Sequence, residues 1–148
     1  MISDLKIDID EIRLNVRVGV IMRHENKVVI EISTVGANSV IPGGRIKINE
    51  HSKDALIRET KEEMGLNLDK NRLTQIKVFE NFFAYDKKNV HEIYFLYEYN
   101  LNTKEFDYIK NIGNNKDNST TFFTFVSKFD LDKYNLLPLE LIPIIKGE

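Results

Sequence analysis

Three glutamates, Glu59, Glu62 and Glu63, are spaced i, i+3 and i+4 in a stretch whose pattern predicts a helix from about Lys53 to Met64. That spacing puts the three carboxylates on one helix face. Like charges at such spacing repel by roughly 0.2–0.5 kcal/mol per pair on an exposed helix, so a sequence shaped by stability alone would alternate signs there. A hard divalent cation turns the repulsion into attraction. Magnesium takes oxygen ligands and commonly works beside substrate phosphates, so the triad points to a metal site for phosphate chemistry. The preceding Pro42-Gly43-Gly44 is the strongest punctuation in the chain. Its glycines let backbone approach a ligand closely, and a free carbonyl there offers one more oxygen. Arg58 is adjacent to the triad and four residues before Glu62, placed to hold a carboxylate through a forked hydrogen bond.

Gly44-Arg45-Ile46-Lys47-Ile48-Asn49-Glu50, seven further residues, then Arg58-Glu59-Thr60-Lys61-Glu62-Glu63-Met64-Gly65-Leu66 resembles the Nudix box, G-x5-E-x7-R-E-U-x-E-E-x-G-U with U a bulky apolar residue. Thr60 at a U position is the one departure; it is half apolar and able to pack inward. The resemblance extends to the strands before and after the box. It implies one domain over residues 1–148 of α/β (α+β) class, with a mixed β-sheet between helices. It further implies that Glu59, Glu62 and Glu63, with the Gly43 carbonyl, bind Mg²⁺, for which Mn²⁺ can substitute. Glu59, Glu62, Arg58 and Glu50 form its catalytic set, Arg58 orienting the glutamates and Glu50 supporting them. The implied activity is that of a pyrophosphohydrolase, with water attacking phosphorus in a nucleoside diphosphate linked to another group. A metal lowers the pKa of bound water and neutralises phosphate charge, and a carboxylate takes the proton. Some members use a box glutamate as base and others an acid on a later loop. Asp117 is the favoured loop candidate, with Glu92, Glu105 and Asp107 as alternatives.

Substrate contacts are less legible. Arg45, beside the metal loop, is a candidate phosphate contact, as are Arg17 and Arg23; surface charge is the alternative, and for Arg23 the two readings are even. Phe83 is a candidate stacking ring, although Phe79, Phe82, Phe83 and Tyr85 read more simply as strand and core residues. His91 reads as a structural hydrogen bonder. Secondary markers of substrate subgroups are missing, so a small nucleotide is expected without a named leaving group.

These residues need a scaffold. Asn15–Met22 and Lys27–Ile32 read as a hairpin turning at His24-Glu25-Asn26. Ser52 is the expected N-cap of the glutamate helix and Gly65 its stop. Strands follow near Gln75–Tyr85 and Val90–Tyr99, joined at Asp86-Lys87-Lys88-Asn89, the second apolar on both faces and so covered on both. Ile112–Thr120 reads as a mobile polar loop, Thr121–Ser127 as a last strand, and Asp130–Glu148 as short helical pieces.

The chain has 148 residues, 42% hydrophobic and 30% charged, as one soluble domain would. A net charge of −2 gives no bulk attraction to duplex nucleic acid. With no cysteine there are no disulfides, thiolate metal sites or cysteine nucleophiles. No leader or membrane span is expected, and a cytoplasmic enzyme is the reading, with a homodimer as a candidate assembly. Two alternatives stay open: a nucleotide-binding sensor without turnover, and a pyrophosphohydrolase acting on RNA 5′ ends.

Overall fold

Strand β2 (Ile12–His24) organises the fold, and its alternation explains how. Val16, Val18, Val20 and Met22 point into one apolar cluster and Ile21 into another, so the strand is buried on both faces. In the computed structural model, which describes residues 3–147, β2 belongs to a nine-stranded mixed sheet. Along one edge it runs parallel to β7 (Lys88–Asn100), with Arg17 opposite Tyr94 and Val18 opposite Phe95. Strand β6 (Thr74–Tyr85) pairs antiparallel with β7. The expected coverage of β7 on both faces is present: Tyr97 and Tyr99 lie in one cluster, Tyr94 and Leu96 in the other.

The other edge of β2 is shared. Strand β1 (Lys6–Ile9), a hairpin arm not foreseen from the sequence, covers its first residues. Strand β3 (Lys27–Ser33) pairs with it only at Arg23–Val28 and His24–Lys27, then leaves to pair with β9 (Asn118–Ser127). The expected hairpin therefore splays. Strand β4 (Ser39–Val40) pairs with β3, and β5 (Gly43–Arg45) pairs with β2. Glycine is required in β5: a Cβ on Gly43 would collide with the Val18 carbonyl of β2.

Helix α1 (Ser52–Met64) buries Ser52, Ala55, Leu56, Thr60 and Met64 against the sheet. Thr60 packs inward as expected, its hydroxyl donating to the Leu56 carbonyl at 2.7 Å. The N-cap is His51, not Ser52: His51 Nδ1 accepts from the Lys53 amide at 3.2 Å, while Ser52 Oγ lies 2.7 Å from the Tyr97 hydroxyl. Gly65 ends the helix at φ 69°, a left-handed cap whose N–H reaches the Lys61 carbonyl.

Helix α2 (Thr103–Ile112) was missed from the sequence, although Asn102-Thr103-Lys104-Glu105 forms a capping box at its start. It packs on the same sheet face as α1, where Ile109 joins their shared cluster. The segment expected as a polar loop forms instead a short hairpin, with β8 (Asn114–Asn115) returning on β9. On the opposite face lie a 3-10 turn at Leu131–Tyr134 and helix α3 (Leu141–Lys146), contributing Leu131, Leu141 and Ile145. These are the short helical pieces anticipated there; Glu148 lies outside the described residues. The sheet is thus flanked by helices on both faces.

Candidate active site

Arg58 is the hub on α1. Its Nε donates to Glu50 Oε2 at 2.8 Å and its Nη2 to Glu50 Oε1 at 3.0 Å. The forked contact therefore goes to Glu50, and not to Glu62 as the helical spacing indicated. Glu50 is itself anchored by the Lys47 amide at 3.0 Å. With both oxygens occupied, its carboxyl is held below the usual range, chiefly by the Arg58 hydrogen bonds. The Arg58 Nη1 group then reaches Glu59 at 2.8 Å and Glu62 at 3.3 Å, while Nη2 also donates to the Arg45 carbonyl at 3.1 Å. One guanidinium thus ties the β5 loop to the first two glutamates.

The three glutamates do not share one environment. The Glu62 side chain is 44% exposed and that of Glu59 only 16%. A Cβ on Gly44 would overlap the Glu59 carboxylate, so this glycine makes room for it. Glu63 turns toward the far end of β3. Asn115 Nδ2 donates to Glu63 Oε2 at 3.1 Å and to Glu31 Oε2 at 2.7 Å. Thr121 Oγ1 also donates to Glu31 at 2.6 Å. Glu31 and Asn115 are both buried and went unnoticed in the sequence. The available signal was a glutamate interrupting the apolar run Val28-Val29-Ile30-Glu31-Ile32.

Burial raises the Glu63 carboxyl to about 8, and the charges of Glu31 and Glu59 push it the same way against the Asn115 hydrogen bond. Glu59 is also raised, first by burial, with Arg58 opposing. As they stand, no three His, Asp or Glu side chains among the described residues converge as a ready coordination set. The donors nonetheless suit a hard divalent cation: crowded, partly buried carboxylate oxygens whose repulsion a cation would relieve.

Asp117 is exposed at the tip of the β8–β9 turn, its amide donating to Asn115 Oδ1 at 2.7 Å. It is thus linked through Asn115 to Glu63. Of the alternatives, Glu105 accepts from Arg72 and Tyr99 and closes the α2 capping box. Asp107 lies on α2, 3.5 Å from Lys110. Glu92 is buried, accepting from Asn15 and, at 3.3 Å, from Asn81.

On the sheet face of the second cluster, the one bearing Tyr94, opens a cavity of about 500 Å³ lined by Arg17, Asn81, Phe83, Glu92, Tyr94 and Pro138, among others. Phe82, Phe83 and Tyr85 are exposed, which corrects their reading as core residues; Phe79 alone packs inward, stacked on Tyr94. Arg45 donates to Asn15 Oδ1 at 2.7 Å and lies 3.9 Å from Asp4. Arg23 is structural, bound to Glu98 at 2.9 Å and to the Ile145 carbonyl at 2.8 Å. His91 bonds Glu80 at 2.8 Å, the structural role expected of it.

The helix-flanked mixed sheet and the acid-lined α1 find their class in comparison with known proteins. The NUDIX domain family model matches residues 13–139, and the chain belongs to the Nudix family. Among solved structures it is similar to a MutT protein from Bacillus halodurans, at 16% identity and TM-score 0.66 over 89% of this chain and 80% of that one. It is similar to a MutT NUDIX hydrolase from Burkholderia pseudomallei, at 18% identity and TM-score 0.60 over 80% and 86% of the two chains. A C. elegans Ap4A hydrolase matches at 17% identity and TM-score 0.60, over 89% of this chain and 93% of that one. At such identities the likeness is one of fold. A search of curated proteins found no match. No helix among the described residues is long and apolar enough to cross a membrane.

Proposed function

We propose that this protein is a metal-dependent Nudix pyrophosphohydrolase acting on a small nucleotide. The observation that carries this reading is the acidic face of α1, clamped by Arg58 and Glu50. Glu59, Glu62 and Glu63 are the metal-binding groups, with the Gly43 carbonyl as a further oxygen and Mg²⁺ or Mn²⁺ as the ion. When bound, the ion supplies charge neutralisation on the phosphates and a water of lowered pKa. The chain's own residues do the rest. Arg58 and Glu50 fix the Glu59 rotamer and limit that of Glu62. Glu62, the more exposed carboxylate, takes the proton from the attacking water, and Asp117 on the adjoining turn is the second candidate base. Phe83 offers a ring to the nucleoside, and Arg45 lies at the loop where phosphates would pass.

The test is hydrolysis, in Mg²⁺, of a panel of ADP-ribose, NADH, dinucleoside polyphosphates, nucleoside triphosphates and nucleotide sugars. One or more should be cleaved. Glu62→Gln and Glu63→Gln should each lower the rate by about a hundredfold or more while leaving circular dichroism unchanged. Activity surviving both substitutions refutes the metal assignment, and tight nucleotide binding with no turnover in either metal indicates a sensor instead.

A further inference from the structure

The chain has six arginines, at positions 13, 17, 23, 45, 58 and 72. Five of them are salt-bridged to carboxylates: Arg13 to Asp8, Arg23 to Glu98, Arg45 to Asp4, Arg58 to Glu50, and Arg72 to Glu105. Arg17 alone has no salt bridge among the described residues. It is also the arginine that lines the 500 Å³ cavity.

Its position in the sheet gives this isolation a direction. Arg17 sits mid-strand on β2, opposite Tyr94 of β7 on one side and Arg45 of β5 on the other. One residue along, Val18 pairs with Gly44, the glycine that makes room for Glu59. Side chains alternate along β2, so Arg17 faces the cavity while its neighbour Val18 packs on the face that bears the acidic helix. Its charge is felt by Glu59 and Glu63 on one side and by Glu92 on the other. Burial works against that charge, but the Tyr94 hydroxyl and the Glu92 and Glu63 carboxylates more than offset it, so the guanidinium stays cationic. A planar, always-charged fork facing an open cavity without a carboxylate of its own matches a phosphate oxygen pair.

We infer that Arg17 is the phosphate-binding residue of this cavity, holding the phosphate next to the nucleoside so that the rest of the phosphate chain runs toward Glu59 and Glu63. The ligand class is a nucleoside 5′-phosphate, with its base in the half of the cavity walled by Phe83 and Pro138. The inference rests on the proposed nucleotide reading, but its test needs neither metal nor turnover.

Binding of AMP, GMP, CMP and UMP, and of the four parent nucleosides, is measured by calorimetry in EDTA. At least one monophosphate should bind the wild type. Arg17→Gln should weaken that monophosphate about tenfold to a hundredfold and leave the parent nucleoside unchanged. Arg17→Lys keeps the charge without the fork, should fold as the wild type does, and should recover part of the loss. A monophosphate affinity in Arg17→Gln equal to that of the wild type overturns the assignment, as does equal weakening of nucleoside and monophosphate. Binding of no monophosphate by the wild type also overturns it. Failure of the hydrolytic reading looks different: monophosphates bind through Arg17, yet no panel substrate is cleaved in Mg²⁺.

Discussion

At the scale of single residues, the site is a contest between carboxylate repulsion and the groups that relieve it. Arg58 neutralises Glu50 and Glu59, whereas Glu63 has only the Asn115 amide and the more distant Arg17. Burial, with the charges of Glu31 and Glu59 beside it, raises the Glu63 carboxyl to about 8 from an ordinary 4.5. Between those values the folded protein holds a proton that the unfolded chain has lost, so the stabilising contribution is full below 4.5 and is lost as pH rises through about 8. In EDTA the melting temperature should fall as pH climbs through this window, and Glu63→Gln should flatten the fall. Mg²⁺, which needs the ionised carboxylate, should raise the melting temperature most at the alkaline end. Thermal melts across pH, with and without Mg²⁺, read both effects. An unchanged slope in Glu63→Gln would mean that another group is responsible.

At the scale of elements, the two sheet-packed helices do different work. Helix α1 carries the acids, and its ends are set by His51 and Gly65. Helix α2 carries none of the box but clips the end of α1, since the Tyr108 hydroxyl donates to the Met64 carbonyl at 2.9 Å. Its own start depends on Asn102, whose side chain caps the Glu105 amide at 2.8 Å while Glu105 reaches back to the Asn102 amide at 2.9 Å. Replacing Asn102 with Ala should cost about 1 kcal/mol of stability. That corresponds to a drop in melting temperature of roughly 3 °C. Mg²⁺ affinity should not change, because the acids are held from α1 and β3. A loss of metal affinity in this variant would show that α2 positions Glu63 through the end of α1.

At the scale of the whole molecule, the two faces of the sheet divide the labour. The face bearing α1 and α2 holds the acids; the other holds Leu131, Leu141 and Ile145 in the second cluster, next to the Leu137–Leu139 wall of the cavity. Leu141 is fully buried, and Leu141→Ala should cost roughly 2–5 kcal/mol through lost burial and a residual void. Its effect on nucleotide affinity should exceed its effect on Mg²⁺ affinity, because the void opens beneath the cavity wall and away from Glu59 and Glu63. Denaturant unfolding and calorimetry separate the two, and equal loss of both affinities would contradict this division.

What the linear chain determined by itself was everything set by short-range spacing. The acidic face of α1, its Gly65 stop and the long β6–β7 pair are local patterns, with periods of 3.6 or 2 and turns of a few residues. The α2 capping box, Asn102 to Glu105, is equally local. Only the tertiary structure decided what depends on distant segments meeting. The splay of β3 from β2 creates the gap that β5 enters and brings Glu31 to Glu63 through Asn115, across 84 residues between Asn115 and Glu31. The exposure of Phe82 and Phe83 follows from the position of β6 at the sheet edge. That Arg17, rather than Arg45, is left without a carboxylate partner among the described residues is likewise a long-range outcome. Arg45 meets Asn15 and Asp4, and no described acid comes within salt-bridge distance of Arg17, since strand registers far apart in sequence choose which charges neutralise each other.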